Sequence, residues 1–140
     1  MRHGKYHFSD SAVEITPSGG AYTKITNPAN TLWQTVESAY ITFDGDSITI
    51  VTPGDYVIWF NLSGTGAGTN DIFKFHMFVD GVDIGTGGPK TKGVTCGANW
   101  VWYVEDLEVG SDISFRFTNI VDNGSLTVED GAIYIRKEHH

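Results

Sequence analysis

The stretch Ile48–Leu62 reads ITIVTPGDYVIWFNL. Pro53-Gly54 divides it and is a turn signal, since proline and glycine favour the dihedral angles of tight turns. On both sides of the turn, apolar side chains recur at every second position: Ile48 and Ile50 before it, then Tyr56, Ile58, Phe60 and Leu62. This two-residue period predicts two β-strands, each with one buried face.

The same alternation recurs along the chain, so we predict an all-β domain. With turn signals between the strands, the pattern indicates a two-sheet antiparallel sandwich of about ten strands. One domain is expected over residues 1–140, with residues 1–10 as an N-terminal arm or short first strand and 136–140 as a tail, typical of a tag remnant. Leu32–Ser38 is predicted to be an ordered loop. The predicted strands are Lys5–Phe8, Ala12–Ile15, Ala21–Ile25, Ala39–Phe43, Ser47–Val51, Asp55–Ser63, Asp71–Val79, Asn99–Leu107, Asp112–Asn119 and Gly124–Glu129 running into Ala132–Arg136.

Composition narrows the classes of partner. The 140 residues include 9 Lys+Arg and 17 Asp+Glu, which gives a net charge of −8. Such a surface repels phosphate backbones, so we expect no nucleic-acid partner. We also expect no signal peptide, because no apolar segment follows Met1, and no membrane span, because the apolar runs are far shorter than about 20 residues. The single cysteine, Cys96, is expected to be a reduced or shielded thiol rather than a nucleophile.

Some predicted strands are apolar on both faces. Trp59 and Phe78 lie on the otherwise polar sides of their strands, and Trp100 and Trp102 alternate with Val101 and Tyr103. A two-layer sandwich buries only one face of each strand, so a neighbouring subunit is the simplest cover for the second. The predicted subunit-interface residues are Trp59, Phe78, Trp100 and Trp102.

Part of the chain resembles a known superfamily. Gly54–Phe60, with Ile48 six positions before the glycine, resembles the Gly-x-Tyr strand of C1q/TNF-like jelly rolls, and Phe75–Val82 is similar to a later strand of that family. Gly4–Phe8, Ala12–Ile15 and Ala21–Ile25 are similar to the start of small TNF-like proteins of tailed phages. The resemblance implies a jelly roll that assembles as a homotrimer.

The resemblance also implies a role. It implies a structural, non-enzymatic virion protein, either a capsid decoration or a head- or tail-fibre-associated protein. Its partners would be further copies of itself and capsid or other virion proteins. It would be assembled in the host cytoplasm and located on the virion. A lectin-like module is the alternative, with Trp33, Trp59, Trp100 and Trp102 stacking on sugar rings.

No motif in the sequence indicates catalysis, so no catalytic, cofactor-binding or metal-binding residues are predicted. Asp44-Gly45-Asp46 is interpreted as a hairpin turn rather than a calcium site, because further acidic ligands do not follow. A metal site formed by His3, His7 and His76 is only weakly supported. His3 and His7 are four residues apart, a spacing that brings two ligands together on a helix, whereas this segment is predicted to be an arm or a strand. A hydrolase whose site is assembled from distant residues is the lowest-ranked alternative.

Overall fold

The computed structural model describes residues 3–17, 21–26, 34–37, 40–44, 47–85 and 90–138. Within these ranges the chain forms thirteen strands and no helix. The strands are β1 (His3–Phe8), β2 (Val13–Ile15), β3 (Thr23–Lys24), β4 (Gln34–Glu37), β5 (Ile41–Phe43), β6 (Ile48–Ile50), β7 (Gly54–Gly66), β8 (Ile72–Val79), β9 (Val82–Asp83), β10 (Lys90–Lys92), β11 (Thr95–Leu107), β12 (Asp112–Asn119) and β13 (Leu126–Lys137).

The strands form two antiparallel sheets. The first has the order β11-β7-β13-β1-β4, with β2 also paired to β13. The second has the order β10-β8-β12-β6-β5, with β3 on β12 and β9 on β8. The predicted all-β, two-sheet antiparallel sandwich is therefore confirmed. His3 pairs with Arg136 and Phe8 with Gly131, so β1 begins at the end of the sandwich where β13 finishes.

The core lies between the sheets and is built by the alternation seen in the sequence. Each of the long strands β7, β8 and β12 turns every second side chain inward, because successive side chains of a strand point to opposite faces. The largest fully buried side chains include Tyr56, Ile58 and Phe60 from β7, Phe73, Phe75 and Met77 from β8, and Ile113 and Phe117 from β12.

Several predicted boundaries were wrong. Leu32–Ser38 was predicted to be a loop, but residues 34–37 form β4, because pairing with β1 outweighs the weak local signal. Residues 136 and 137 belong to β13 rather than to a tail. Of the two possibilities for the first ten residues, the structure shows the strand β1, paired on both sides. The strands β9 and β10 were not predicted, since two or three residues carry no period.

The strand β7 was predicted to end at Ser63, yet it continues to Gly66. Gly64 permits this continuation, because a Cβ there would lie 2.4 Å from the carbonyl oxygen of Thr127 on the adjacent strand β13. Glycine at this position lets the two backbones approach.

We expect Gly64→Ala to destabilise the fold by about 1–3 kcal/mol, the usual cost of overpacking. Gly97→Ala is the matched control, because its Cβ would meet its nearest atom, the oxygen of Leu62, at 3.9 Å. Urea unfolding of both variants measures the difference. Equal midpoints would contradict the close approach at Gly64.

Candidate assembly surface

The outer face of the first sheet carries a patch of large apolar side chains. In the register of the sheet, Trp59 of β7 lies between Val101 of β11 and Tyr134 of β13. In the next row, Val57 lies beside Tyr103 of β11. The exposed fractions of Trp59, Val101 and Tyr103 are 37%, 52% and 51%. We name this patch of Val57, Trp59, Val101, Tyr103 and Tyr134 the aromatic face.

Contacts within the chain hold the aromatic face in place. The Trp59 and Tyr134 rings lie 5.2 Å apart between centroids, and the Arg136 guanidinium carbon lies 5.4 Å from the Trp59 ring centroid. The Tyr103 hydroxyl donates to Asp55 Oδ2 at 3.3 Å, and Asp55 Oδ1 accepts the Asp106 backbone N–H at 2.8 Å. Desolvation and then the nearby Asp55 carboxylate raise the pKa of Tyr103. The patch is therefore a fixed, uncharged surface with a charged margin.

The edge of the first sheet beside this face is open over the central part of β11, between its contact with β10 and the bulge at Val104–Leu107. Three of the four terminal strands, β4, β5 and β10, are three or four residues long, and β10 has two lysines. Short length and lysines are the usual protection of sheet edges. The fourth, β11, has 13 residues and contains no lysine, arginine or proline. Over its central residues 98–104, no other described strand pairs with its free side.

The four predicted interface residues lie in three different parts of the sandwich. Trp59 lies on the aromatic face. Trp100 and Trp102 point inward at the β11 edge, where Trp100 lies 4.6 Å from the Phe60 ring and 4.2 Å from Trp102. Both indoles are half-buried.

Phe78 lies on the outer face of the second sheet and is only 8% exposed. The Tyr22 ring lies 5.6 Å from it, and the Arg116 guanidinium carbon lies 4.3 Å from its ring centroid. A neighbouring subunit, the simplest cover expected for such a strand, is therefore not required at β8, because Tyr22 and Arg116 of the same chain cover the Phe78 ring. The interface role of the four residues stays a prediction, and the burial pattern favours Trp59 over Phe78.

Val57, Val101, Tyr103 and Tyr134 were missing from the prediction. The sequence showed that Val101 and Tyr103 alternate with the indoles of β11, but periodicity alone does not tell which of two apolar faces turns inward. The larger indoles occupy the core side, where they cover more of the neighbouring rings.

Several solved structures have an architecture similar to that of this chain. The chain superposes on PRD1 vertex protein P5 with a TM-score of 0.66, at 15% identity, over 99% of this chain and 97% of that one. It superposes on murine APRIL with a TM-score of 0.60, at 13% identity, over 96% and 99% of the two chains. For Eiger TNF from S. frugiperda the TM-score is 0.57, at 8% identity, over 99% and 94%.

The chain has a TNF-like jelly-roll fold. The predicted jelly-roll class and the resemblance to TNF-like proteins are thereby confirmed at the level of the fold. No protein-family model matches the sequence, and no curated protein matches it. At identities of 8% to 15%, the similarity concerns the fold alone.

A second cluster lies on the other sheet of the TNF-like fold. The side chain of His76 is buried, with Nδ1 2.7 Å from Asp83 Oδ2 and Nε2 3.3 Å from the Tyr22 hydroxyl. The Tyr22 ring also stacks on the imidazole at 4.5 Å between centroids. Burial raises the pKa of Tyr22, with a smaller contribution from Asp83, so its hydroxyl stays protonated. The cluster fastens the segment before β3 onto the second sheet.

Asp83 makes this fastening sensitive to acid. Desolvation alone would raise its pKa, but the hydrogen bonds from His76 and Gly85 and the charges of His76 and Lys74 outweigh it and lower the pKa below 3.8. A carboxyl group with a lowered pKa in the folded state adds stability above its unfolded value, and that stability is lost as the pH falls through the folded value.

We expect Asp83→Asn to cost about 1 kcal/mol at neutral pH, a small value because the Asp83 side chain is 37% exposed. The difference from the wild-type chain should vanish in acid below the folded pKa of Asp83. Urea midpoints at neutral and strongly acidic pH measure it. A difference that persists unchanged in acid would show that the charge of the Asp83 carboxylate is not its source.

The other predicted candidates stay apart. His7 lies on the outer face of the first sheet and His76 on the outer face of the second, so the core separates them and they do not share a site. Asp44 Oδ1 accepts the Ser47 backbone N–H at 2.9 Å, as a turn requires. Three of the candidate residues lie outside the described ranges: Trp33, Gly45 and Asp46. Among the residues that the structure describes, no group of three metal-ligating side chains occurs.

The Cys96 thiol is buried, as predicted. It donates to the Gly93 carbonyl oxygen at 3.2 Å, and burial raises its pKa. No helix that could span a membrane occurs in the part of the chain that the structure describes.

Proposed function

We propose that the chain is a structural protein of a tailed-phage particle that assembles as a homotrimer through the aromatic face. The observation that carries the proposal is the exposed patch of Trp59, Val101 and Tyr103 beside the open central edge of strand β11. Monomeric proteins rarely leave a contiguous apolar patch and a long open strand edge in water, because both promote association.

The shape of the surface supports a ring. The open edge and the aromatic face share β11, so they adjoin at an angle on one side of the sandwich. A copy can set its open edge, with Trp100 and Trp102, against the aromatic face of the next copy. Such a contact joins two different surfaces, and it closes into a ring when the rotation between copies divides a full turn.

The virion assignment is supported by the similarity in fold to PRD1 vertex protein P5. On a particle the protein would act passively, as a rigid module bound to capsid or other virion proteins. Fold alone does not determine function, so the presence of the protein on a phage particle needs a direct test.

Light scattering coupled to size exclusion tests the assembly. At micromolar concentration we expect three times the chain mass of 15.3 kDa. A monomer would contradict the proposal. Antibody labelling of purified particles tests the location, and absence of label from intact virions would contradict the virion role.

A carbohydrate-binding role is the second candidate. The observation in its favour is the exposed Trp59 indole with the exposed polar residues Asn61 and Asn99 in the adjacent row of the sheet. Sugars present apolar faces to indoles and hydroxyls to amides. Titration of Trp fluorescence with a broad sugar panel tests it: a saturable change that Trp59→Ala abolishes would support this role, and silence across the panel would contradict it.

A further inference from the structure

The loop between β12 and β13, residues 120–125, contains a reactive dipeptide. Asn123 is exposed in this loop and is followed by Gly124, and no other asparagine of the chain precedes a glycine. Glycine has no side chain, so its backbone nitrogen can approach the preceding asparagine amide without obstruction.

The loop places a carboxylate on that nitrogen. The Gly124 N–H donates to Asp122 Oδ1 at 2.7 Å. Asn119 fixes this arrangement, because its Nδ2 donates to Asp122 Oδ1 at 2.9 Å and to the Gly124 carbonyl oxygen at 3.2 Å. Asp122 itself is exposed and in contact with water. A base in this position can accept the proton that the nitrogen loses when it attacks a carbonyl carbon.

We propose that Asn123 is a site of spontaneous modification, which converts to aspartate and isoaspartate with help from Asp122. The Gly124 nitrogen bonds to Cγ of Asn123, and the bond from Cγ to the amide nitrogen breaks. The proton leaves the Gly124 nitrogen for the Asp122 carboxylate and passes to the departing amide nitrogen, which is released as ammonia. Water then opens the cyclic imide at either carbonyl carbon.

The remaining asparagines of the described chain lack this combination. Asn61, Asn99 and Asn119 lie within strands and precede large apolar residues. Asn70 lies in an exposed turn but precedes a charged aspartate. Bulky or charged following residues hinder the attack, and ladder pairing holds the backbone in place, so conversion is expected at Asn123 first.

The product changes a crowded corner of the sandwich. Conversion adds one negative charge next to Asp122, which takes the net charge from −8 to −9 (−8 − 1). The Cβ position of Gly124 is 2.3 Å from Oδ2 of Asp71, a carboxylate that is only 3% exposed. The isoaspartyl linkage lengthens the main chain beside this crowded contact, which leaves little room for a shift of Gly124, so the converted protein should melt at a lower temperature.

The test is ageing of the purified full chain at mildly alkaline pH, followed by peptide mass mapping and an isoaspartyl methyltransferase assay. We expect conversion at Asn123, with Asn70 and Asn99 intact. Asp122→Asn keeps an oxygen acceptor but removes the carboxylate, and it should slow conversion by at least about tenfold. Unfolding midpoints verify that this variant is folded.

Gly124→Ala is unsuitable because of the approach to Asp71, so Asn123→Gln is the second variant, and its longer side chain should abolish conversion. Two results would overturn the proposal. One is an intact Asn123 after other asparagines have converted. The other is an equal or faster rate at Asn123 in the folded Asp122→Asn variant.

Discussion

If the proposed trimer forms through the aromatic face, Val101→Glu is expected to leave a folded monomer in its place. Val101 lies beside Trp59 in the aromatic face and is 52% exposed in the single chain, so glutamate there is solvated and harmless to the monomer. In the assembly the carboxylate would be buried without a partner, which costs about 3–5 kcal/mol per site and weakens association by about a thousandfold. Light scattering over a range of concentrations measures the loss.

Val51→Glu is the matched control, because Val51 is 50% exposed and lies in the turn before β7, where its N–H donates to Tyr40 beside β5 of the second sheet. It should assemble like the wild-type chain. If Val101→Glu assembles as well, the aromatic face is not the interface. If both variants dissociate, added charge rather than position is responsible.

Phe60→Ala is expected to destabilise the fold by about 3–5 kcal/mol, more than either Gly64→Ala or Asp83→Asn. The Phe60 ring is fully buried between the sheets, 4.8 Å from Phe115 and 4.6 Å from Trp100. Its removal leaves a cavity that the two sheets cannot close, because both are held by their ladders. Urea unfolding, performed at one fixed protein concentration, measures the change.

Trp59→Ala is the control for that measurement, since Trp59 directly precedes Phe60 in β7 but faces outward and is 37% exposed. In a monomeric background such as Val101→Glu, it should cost much less than Phe60→Ala. Similar losses for the two would mean that the inward and outward faces of β7 have been assigned incorrectly.

The long strands were predictable because their two-residue period is physical information carried by the sequence itself. Phe60 and Phe75 could be placed in the core before the fold was known. The short strands β4, β9 and β10 could not be predicted, since they exist through pairing with distant partners and have no period of their own.

The candidate surface was predictable only in part. Trp59 stood out as an aromatic residue on a polar face, and it lies on the aromatic face. In β11 both faces are apolar, and the choice between Trp102 and Tyr103 depends on which side chain fits against Phe115 across the core. The contact that covers Phe78 could not be predicted from the sequence either, because the pairing of β3 with β12 brings Tyr22 to it.

The pairing of His3 with Arg136 has a practical consequence. A peptide or fluorescent protein joined ahead of β1 and one joined after β13 would both project from the same end of the sandwich. In the proposed threefold ring, cyclic symmetry would place every copy of such a fusion at an equivalent position. The choice of terminus for labelling would then change the linker but not the side on which the label is displayed.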